Sequence, residues 1–306
     1  MRLLVTALCL AAVASGQQVP DLGFEPRIGE PKYAMARGPR VAVDAAHRNF
    51  HTADGRYLTF ANVLRQDGFR VVSWNDPFTK EALRRVEVLV ISNALPASQH
   101  RDWSAPSESA FDEAEMEALE QWVAGGGALM LIADHQPFPG AVAALGGRFG
   151  VEFVDAYALD GPSERRRGSL TYRRSDGNLN RHPVTAGVES VSNFGGSAFR
   201  VEGQHEPLLK MSRNAVARTA DFGGEQRGYV GEPKPIGGWL QGALLARGDG
   251  LVAVFAEAAM FSAQVTGRNK RPMGMNAPHA KDNARLLVNV VRWLAEESGD
   301  KRAGFR

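Results

Sequence analysis

Residues 119–135 read Leu119-Glu-Gln-Trp-Val-Ala-Gly-Gly-Gly-Ala-Leu-Met-Leu-Ile-Ala-Asp134-His135, and they decide the fold class. The first part ends an amphipathic helix that opens at Phe111-Asp112-Glu113, where acidic side chains suit the positive end of the helix dipole. Met116, Leu119 and Val123, with Trp122, make its buried stripe. Gly125-Gly126-Gly127 then stops the helix, as glycine does at helix C-termini. A strand follows the triplet, so it is no phosphate cradle. Ala128–Ala133 is apolar at every position, the pattern of a strand buried on both faces of a parallel sheet.

The flanking sequence repeats this alternation. Arg40–Val43 reads as a strand, Tyr57–Gln66 as a helix closed by Asp67-Gly68, and Arg70–Trp74 as a second strand. A short helix from Thr79 leads to the apolar strand Val86–Ser92. Leu251–Ala256 returns to the buried-strand pattern. Asp282–Glu296 is a closing helix with Leu286, Leu287, Val290, Val291 and Leu294 on its apolar side. The order β-α-β-α-β-α-β predicts a doubly wound, mainly parallel α/β sheet with right-handed crossovers. Between about 150 and 250 the periodicity weakens. The pieces Phe199–Val201, Leu208–Met211, Val216–Thr219 and Trp239–Ala246 predict a β-rich elaboration of the same domain. Residues 17–38 read as an extended arm and 297–306 as a tail.

At the amino terminus, Arg2 precedes the apolar run Leu3–Val13, then Ala14-Ser15-Gly16 and the polar Gln17-Gln18. That is the layout of a secretory signal peptide, with cleavage expected after Gly16. The run is too short to cross a hydrocarbon core, which takes about 20 helical residues. The mature chain is therefore expected to be exported, periplasmic or secreted, with no transmembrane anchor. Cys9 is the only cysteine and leaves with the signal, which excludes a disulfide, a thiolate metal ligand and a cysteine nucleophile. The net charge of +2 excludes a broad nucleic-acid-binding face. The densest basic group, Arg165, Arg166, Arg167, Arg173 and Arg174, lies in a loop-like stretch and reads as a solvated loop or as a clamp for an anionic ligand.

Ligands of an open α/β sheet collect at the carboxyl ends of its strands. Three polar groups fall there: Asp44-Ala-Ala-His47-Arg-Asn49-Phe-His51, Asp134-His135-Gln136, and Glu257-Ala-Ala-Met260. Asn276-Ala-Pro-His279 leads into the closing helix on the same side. Singly, each residue could cap a helix, brace a turn or satisfy a neighbour. Together they point to a site, because carboxylates and imidazoles gathered at one sheet edge need something to organise them. Asp44, His47, Asp134, His135 and Glu257 are the expected catalytic residues and should converge in one pocket. Asn49 and His279 are expected to touch substrate. His47, His51 and His135 could hold a divalent metal (zinc, manganese or iron), with His47 and His51 sharing a face if their segment is helical. No Gly-x-Ser-x-Gly elbow, phosphate loop or His-Glu-x-x-His motif is present.

These segments, with His182-Pro183-Val184-Thr185-Ala-Gly187, Glu257-Ala-Ala-Met260-Phe and Asp282-Asn283 through Trp293-Leu, resemble the class I glutamine-amidotransferase-like superfamily over about residues 39–296. The chain looks closest to exported members with a domain of unknown function, and more distantly to ThuA-like (trehalose-utilisation) proteins. The resemblance implies a flavodoxin-like fold. It does not imply amidotransferase chemistry, since that reaction needs a cysteine the mature chain lacks. Three functions follow as expectations: a hydrolase or lyase on a small polar, carbohydrate-derived substrate; a non-catalytic carbohydrate- or partner-binding module; or an assembly domain.

Overall fold

Alternate residues of a strand face opposite ways, and the apolar runs of this chain divide accordingly. Val41, Val43, Val88, Val90, Met130 and Phe255 point to one core, while Ala42, Leu89, Ile91, Leu131 and Val254 point to another. A sheet buried on both faces needs helices on both, and the chain supplies them. The computed structural model describes residues 18–99, 103, 107–161, 170–221 and 228–303, with side chains to 296. Cleavage at Gly16 and Arg165–Arg167 thus lie outside the described residues.

The first half contains β1 (Val19–Pro20), β2 (Arg40–Asp44), α1 (Leu58–Gln66), β3 (Arg70–Trp74), α2 (Lys80–Leu83), β4 (Val88–Ser92), α3 (Glu113–Ala124), β5 (Ala128–Ile132) and α4 (Phe138–Arg148). The second half is strand-rich: β6 (Val151–Val154), β7 (Tyr157–Leu159), β8 (Thr171–Arg173), β9 (Ser190–Ser192), β10 (Ala198–Val201), β11 (Glu206–Lys210), β12 (Val216–Asp221), β13 (Gly228–Pro235), β14 (Leu240–Arg247) and β15 (Gly250–Phe255). The hairpin β16 (Ala263–Thr266) and β17 (Arg271–Gly274) precedes the closing helix α5 (Asn283–Ala303).

The main sheet runs β3-β2-β4-β5-β15-β14-β10-β6, with β11 beside β14. Its first five strands are parallel, in the order 2-1-3-4-5 by chain position. β14, β10 and β6 continue it in antiparallel pairing. Helices α1 and α5 cover one face through Phe60, Leu64, Leu286 and Val290. α2, α3 and α4 cover the other through Leu83, Leu119, Val123 and Leu145. The fold is thus mixed α/β, with a large, partly parallel sheet and a β-rich second half, as the alternation predicts.

Several boundaries differ. α3 starts at Glu113 because Asp112 caps it: Asp112 accepts the Glu115 N–H at 2.8 Å, and Glu115 accepts the Asp112 N–H in return at 3.3 Å. Trp122 is half-buried and off the stripe; its indole lies against Gly127, where any Cβ would strike the ring. α5 runs on to Ala303 through residues read as a tail. Their polar composition carried no apolar stripe to mark them. The arm is tied in at both ends, by β1 pairing with β16 and by Lys32 N–H donating to Asp67 at 2.9 Å. No helix among the described residues is long and apolar enough to cross a membrane.

Candidate functional site

β2 delivers Asp44, fully buried, to the carboxyl edge of the sheet. Its Oδ1 accepts the Ala46 N–H at 3.1 Å, and its two oxygens lie 3.0 and 2.9 Å from His47 Nδ1. On the other side of the ring, His47 Nε2 is 3.0 Å from Glu115 Oε1, which also accepts the Phe78 N–H at 3.1 Å. Phe78 stacks on the imidazole at 4.6 Å and Phe111 leans on it at 4.8 Å. Burial opposes a charge on His47, but the hydrogen bonds and charges of Asp44 and Glu115 outweigh it, and the pKa is raised. Asn49 completes the bracket, donating to Asp44 Oδ2 at 2.9 Å and to the Ser92 carbonyl at 3.3 Å. Both ring nitrogens of His47 are thus occupied by protein carboxylates.

Beside it, at the carboxyl ends of β4, β5 and β15, lies a cavity of about 100 Å³. His51, Asn93, Asp134, His135 and Glu257 form its polar lining; Phe50, Trp103, Phe138 and Phe194 are aromatic walls. Gln18 from the arm and Met273 from β17 also reach it. Asn93 follows β4 with φ +50°, a left-handed conformation that asparagine tolerates. A sharp turn of this kind after a buried strand is where a nucleophile would be presented; an amide stands there instead.

Hydrogen bonds around Asn93 determine the state of His51. Asn93 Oδ1 accepts the Asp134 N–H at 2.8 Å, so its Nδ2 is the group facing His51 Nδ1 at 3.2 Å. An amide nitrogen only donates. His51 Nδ1 must therefore accept, and the ring proton resides on Nε2. That Nε2 has no hydrogen-bond partner in the protein, although His51 is only 2% exposed. Burial, then the charges of Arg56 and His135, lower the His51 pKa to about 3, so the ring is neutral.

His135 has the opposite tautomer. Its Nδ1 donates to the Gln136 carbonyl at 2.8 Å, leaving the Nε2 lone pair, and its ring stacks on Tyr157 at 4.2 Å. Asp134 Oδ1 accepts the His135 N–H at 2.8 Å. Glu257 is 1% exposed and accepts N–H groups of Ala259 and Met260 at 3.0 and 2.7 Å. Burial first, then the Asp134 charge, raises the Glu257 pKa well above the usual carboxylate range, against the pull of those N–H groups. Gly196, at φ +92°, lets the 193–197 turn close over Glu257; a Cβ there would sit 2.8 Å from the Glu257 side chain.

The expectation of one pocket is therefore corrected. Asp134, His135 and Glu257 line the cavity, whereas Asp44, His47 and Asn49 bind one another and Glu115 behind it. Their segment is not helical: Arg48, at φ +48°, turns the chain so that His47 and His51 face different ways. The three-histidine metal set is likewise not assembled. His47 has a carboxylate on each nitrogen, and His51 has an amide on one nitrogen and a proton on the other. Among the described residues no group of three or more His, Cys, Asp or Glu side chains could hold a metal ion. His279 is exposed and is not among the described residues that line the cavity; its ring lies 5.4 Å from that of Phe194. Of the basic group, Arg173 meets Asp176 at 3.4 Å and Arg174 meets Glu189 at 3.6 Å. Asn93 and Glu115 were not anticipated. The helix-capping spacing Asp112-x-x-Glu115 was visible, but it explains only one of the Glu115 oxygens.

No protein-family model and no curated protein sequence matches the chain. Solved structures of similar fold exist. The N-terminal domain of mmIFT52 superposes with a TM-score of 0.56 at 15% identity, covering 83% of this chain and 96% of that one. A putative ThuA-like protein from Bacteroides uniformis gives 0.49 at 14% identity, covering 86% and 94%. A putative ThuA-like protein from Parabacteroides merdae gives 0.44 at 12% identity, covering 85% and 90%. Structural neighbours thus include ThuA-like proteins; at these identities the likeness concerns the fold alone.

Proposed function

We propose that this chain is an exported hydrolase or lyase acting on a small polar, carbohydrate-derived substrate by acid–base chemistry at the Asp134–His135–Glu257 edge. We read the fold as flavodoxin-like, of the class I glutamine-amidotransferase-like type and near the ThuA-like proteins; the 2-1-3-4-5 strand order supports this. The observation that carries the activity is the opposed surroundings of His135 and Glu257. His135 spends its proton on the Gln136 carbonyl and keeps a basic nitrogen. Glu257, buried beside Asp134, holds its proton. Groups whose environments separate their proton occupancy divide the work of base and acid. His135 takes a proton from water or substrate, and Glu257 gives one to the leaving group. Asp134, whose Oδ1 accepts the His135 N–H at 2.8 Å, helps to position it.

The aromatic walls Phe50, Trp103, Phe138 and Phe194 favour a second reading, a carbohydrate-binding module that does no chemistry. One experiment separates the two. Exported protein, expected to begin at Gln17, is assayed against small glycosides, sugar esters and lactones, beside His135→Gln and Glu257→Gln. Each substitution should lower kcat by about 10²- to 10⁴-fold while the fold persists. Sugar binding without turnover in the wild type, unchanged by either substitution, would establish the binding module instead.

A further inference from the structure

Among the described residues of the cavity lining, His51 has a buried ring nitrogen that no protein group answers. The geometry points to His51 as a fixed, neutral hydrogen-bond donor for the carbonyl oxygen of an uncharged ligand. This deepens the proposed function and rests on the same cavity being the working site.

Three observations carry it. The chain Asp134 N–H to Asn93 Oδ1, then Asn93 Nδ2 to His51 Nδ1, leaves the ring no choice of tautomer, so the group at Nε2 is an N–H. Tyr57 packs on the His51 ring at 4.6 Å and Phe50 at 5.3 Å, holding its plane. Nε2 is buried with no partner among the described residues, and a buried donor left without an acceptor is costly. A ligand oxygen would recover that cost, since an N–H can be answered only by an acceptor.

The charges around the cavity select among acceptors. Asp134 and Glu257 already face each other's field there, and no lysine or arginine is among the described residues that line it. A ligand carboxylate would bring a third acid group; Arg56, whose charge reaches His51, lies over the Phe50 ring at 3.7 Å and is not among the described residues that line the cavity. A carbonyl oxygen brings acceptor capacity without charge. As the carbonyl gains negative charge during reaction, a neutral donor already in place strengthens its bond at no cost in reorganisation. The same tautomer bars a cation from this position, since Nε2 carries a proton and Nδ1 is taken by Asn93.

Asn93→Asp tests the assignment with little change of shape. Aspartate tolerates the left-handed turn and can accept the Asp134 N–H as asparagine does. Its second oxygen would then hold a proton on Nδ1, so that at pH 8, with the ring neutral, Nε2 presents a lone pair and no longer donates. The probes are dihydroxyacetone and glycerol, which share a carbon skeleton and differ in the central carbonyl. They are titrated into ¹⁵N-histidine-labelled protein and followed by NMR. In the wild type, His51 should show the Nε2–H tautomer from pH 5 to 8, and dihydroxyacetone should bind at least fivefold more tightly than glycerol. In Asn93→Asp the preference should vanish. An Nδ1–H tautomer in the wild type, equal or absent binding of the two probes, or a preference that survives the substitution would each overturn the proposal. His135→Gln should keep the preference. Failure of the acid–base reading would appear as unchanged turnover in that variant, and would leave the probe result intact.

Discussion

His47 is held between two carboxylates, and its protonation ties three parts of the chain together: the end of β2, the segment before α2 and the first turn of α3. Asp44 is fully buried and Glu115 is 9% exposed, so His47→Gln would leave both without a cation. Removing one member of a buried ionic cluster costs about 3–5 kcal/mol. The pH dependence has a definite sign. The folded pKa of His47 is raised, so its contribution is complete below the unfolded value near 6.5 and is lost as pH rises through the folded pKa. Urea denaturation of wild type and His47→Gln should therefore show the widest gap near pH 5.5 and a narrower one at pH 9. A gap that widens with pH would sink this account. From sequence alone His47 and His51 looked like a pair. What separates them is the positive φ of Arg48, a backbone property that arginine does not announce.

At the scale of elements, the legible parts were those whose burial is uniform. β4 and β5 are buried at every position, and the stripes of α3 and α5 face a single core, so pattern and structure agree there. β13 is the contrary case: Gly228–Pro235 is mostly exposed and carries two prolines, and its pairing with β12 sets it as a strand where no periodicity does. The site was half legible for a related reason. Strand ends marked Asp134, His135 and Glu257, while the partnership of His47 with Glu115 depends on where α3 docks. Docking of α5 rests on a contact of the same long-range kind. Arg292 Nε donates to Asp67 Oδ2 at 2.7 Å and its Nη2 to Asp67 Oδ1, while Asp67 is fully buried and also receives the Lys32 N–H. One side chain thus joins the end of α1, the arm and α5. Arg292→Ala should cost about 3 kcal/mol, and Arg292→Lys should recover only part, because lysine cannot make the two-pronged bond. Hydrogen exchange should quicken together in the arm and at the end of α1. Protection unchanged in both would show that apolar packing alone seats the helix.

For the whole molecule, the titrating groups of the cavity set the pH of greatest stability. His51 is neutral in the fold, with its pKa lowered to about 3, while the unfolded chain takes up a proton below about 6.5. The unfolded state then binds more protons between pH 3 and 6.5, so His51 makes stability fall as pH drops through that range. Glu257 works the other way. Its folded pKa is raised well above 4.5, so the folded state holds the extra proton and stability falls as pH rises above 4.5. The two slopes oppose each other between about 4.5 and 6.5. Above that window the losses from Glu257 and His47 continue; below it the loss from His51 continues. Stability should accordingly peak on the acid side of neutrality, near pH 5–6, with each group able to contribute a slope of up to about 1.4 kcal/mol per pH unit. Glu257→Gln should flatten the alkaline limb, even as it removes the proposed acid and leaves only one acceptor for the Ala259 and Met260 N–H groups. His51→Gln should flatten the acid limb and leave the alkaline one in place. Thermal melts from pH 4 to 9 on the three proteins give the measurement. A wild-type maximum at or above pH 8, or an alkaline limb as steep in Glu257→Gln as in the wild type, would mean that Glu257 is ionised in the fold, and the division of acid and base at this edge would have to be reversed.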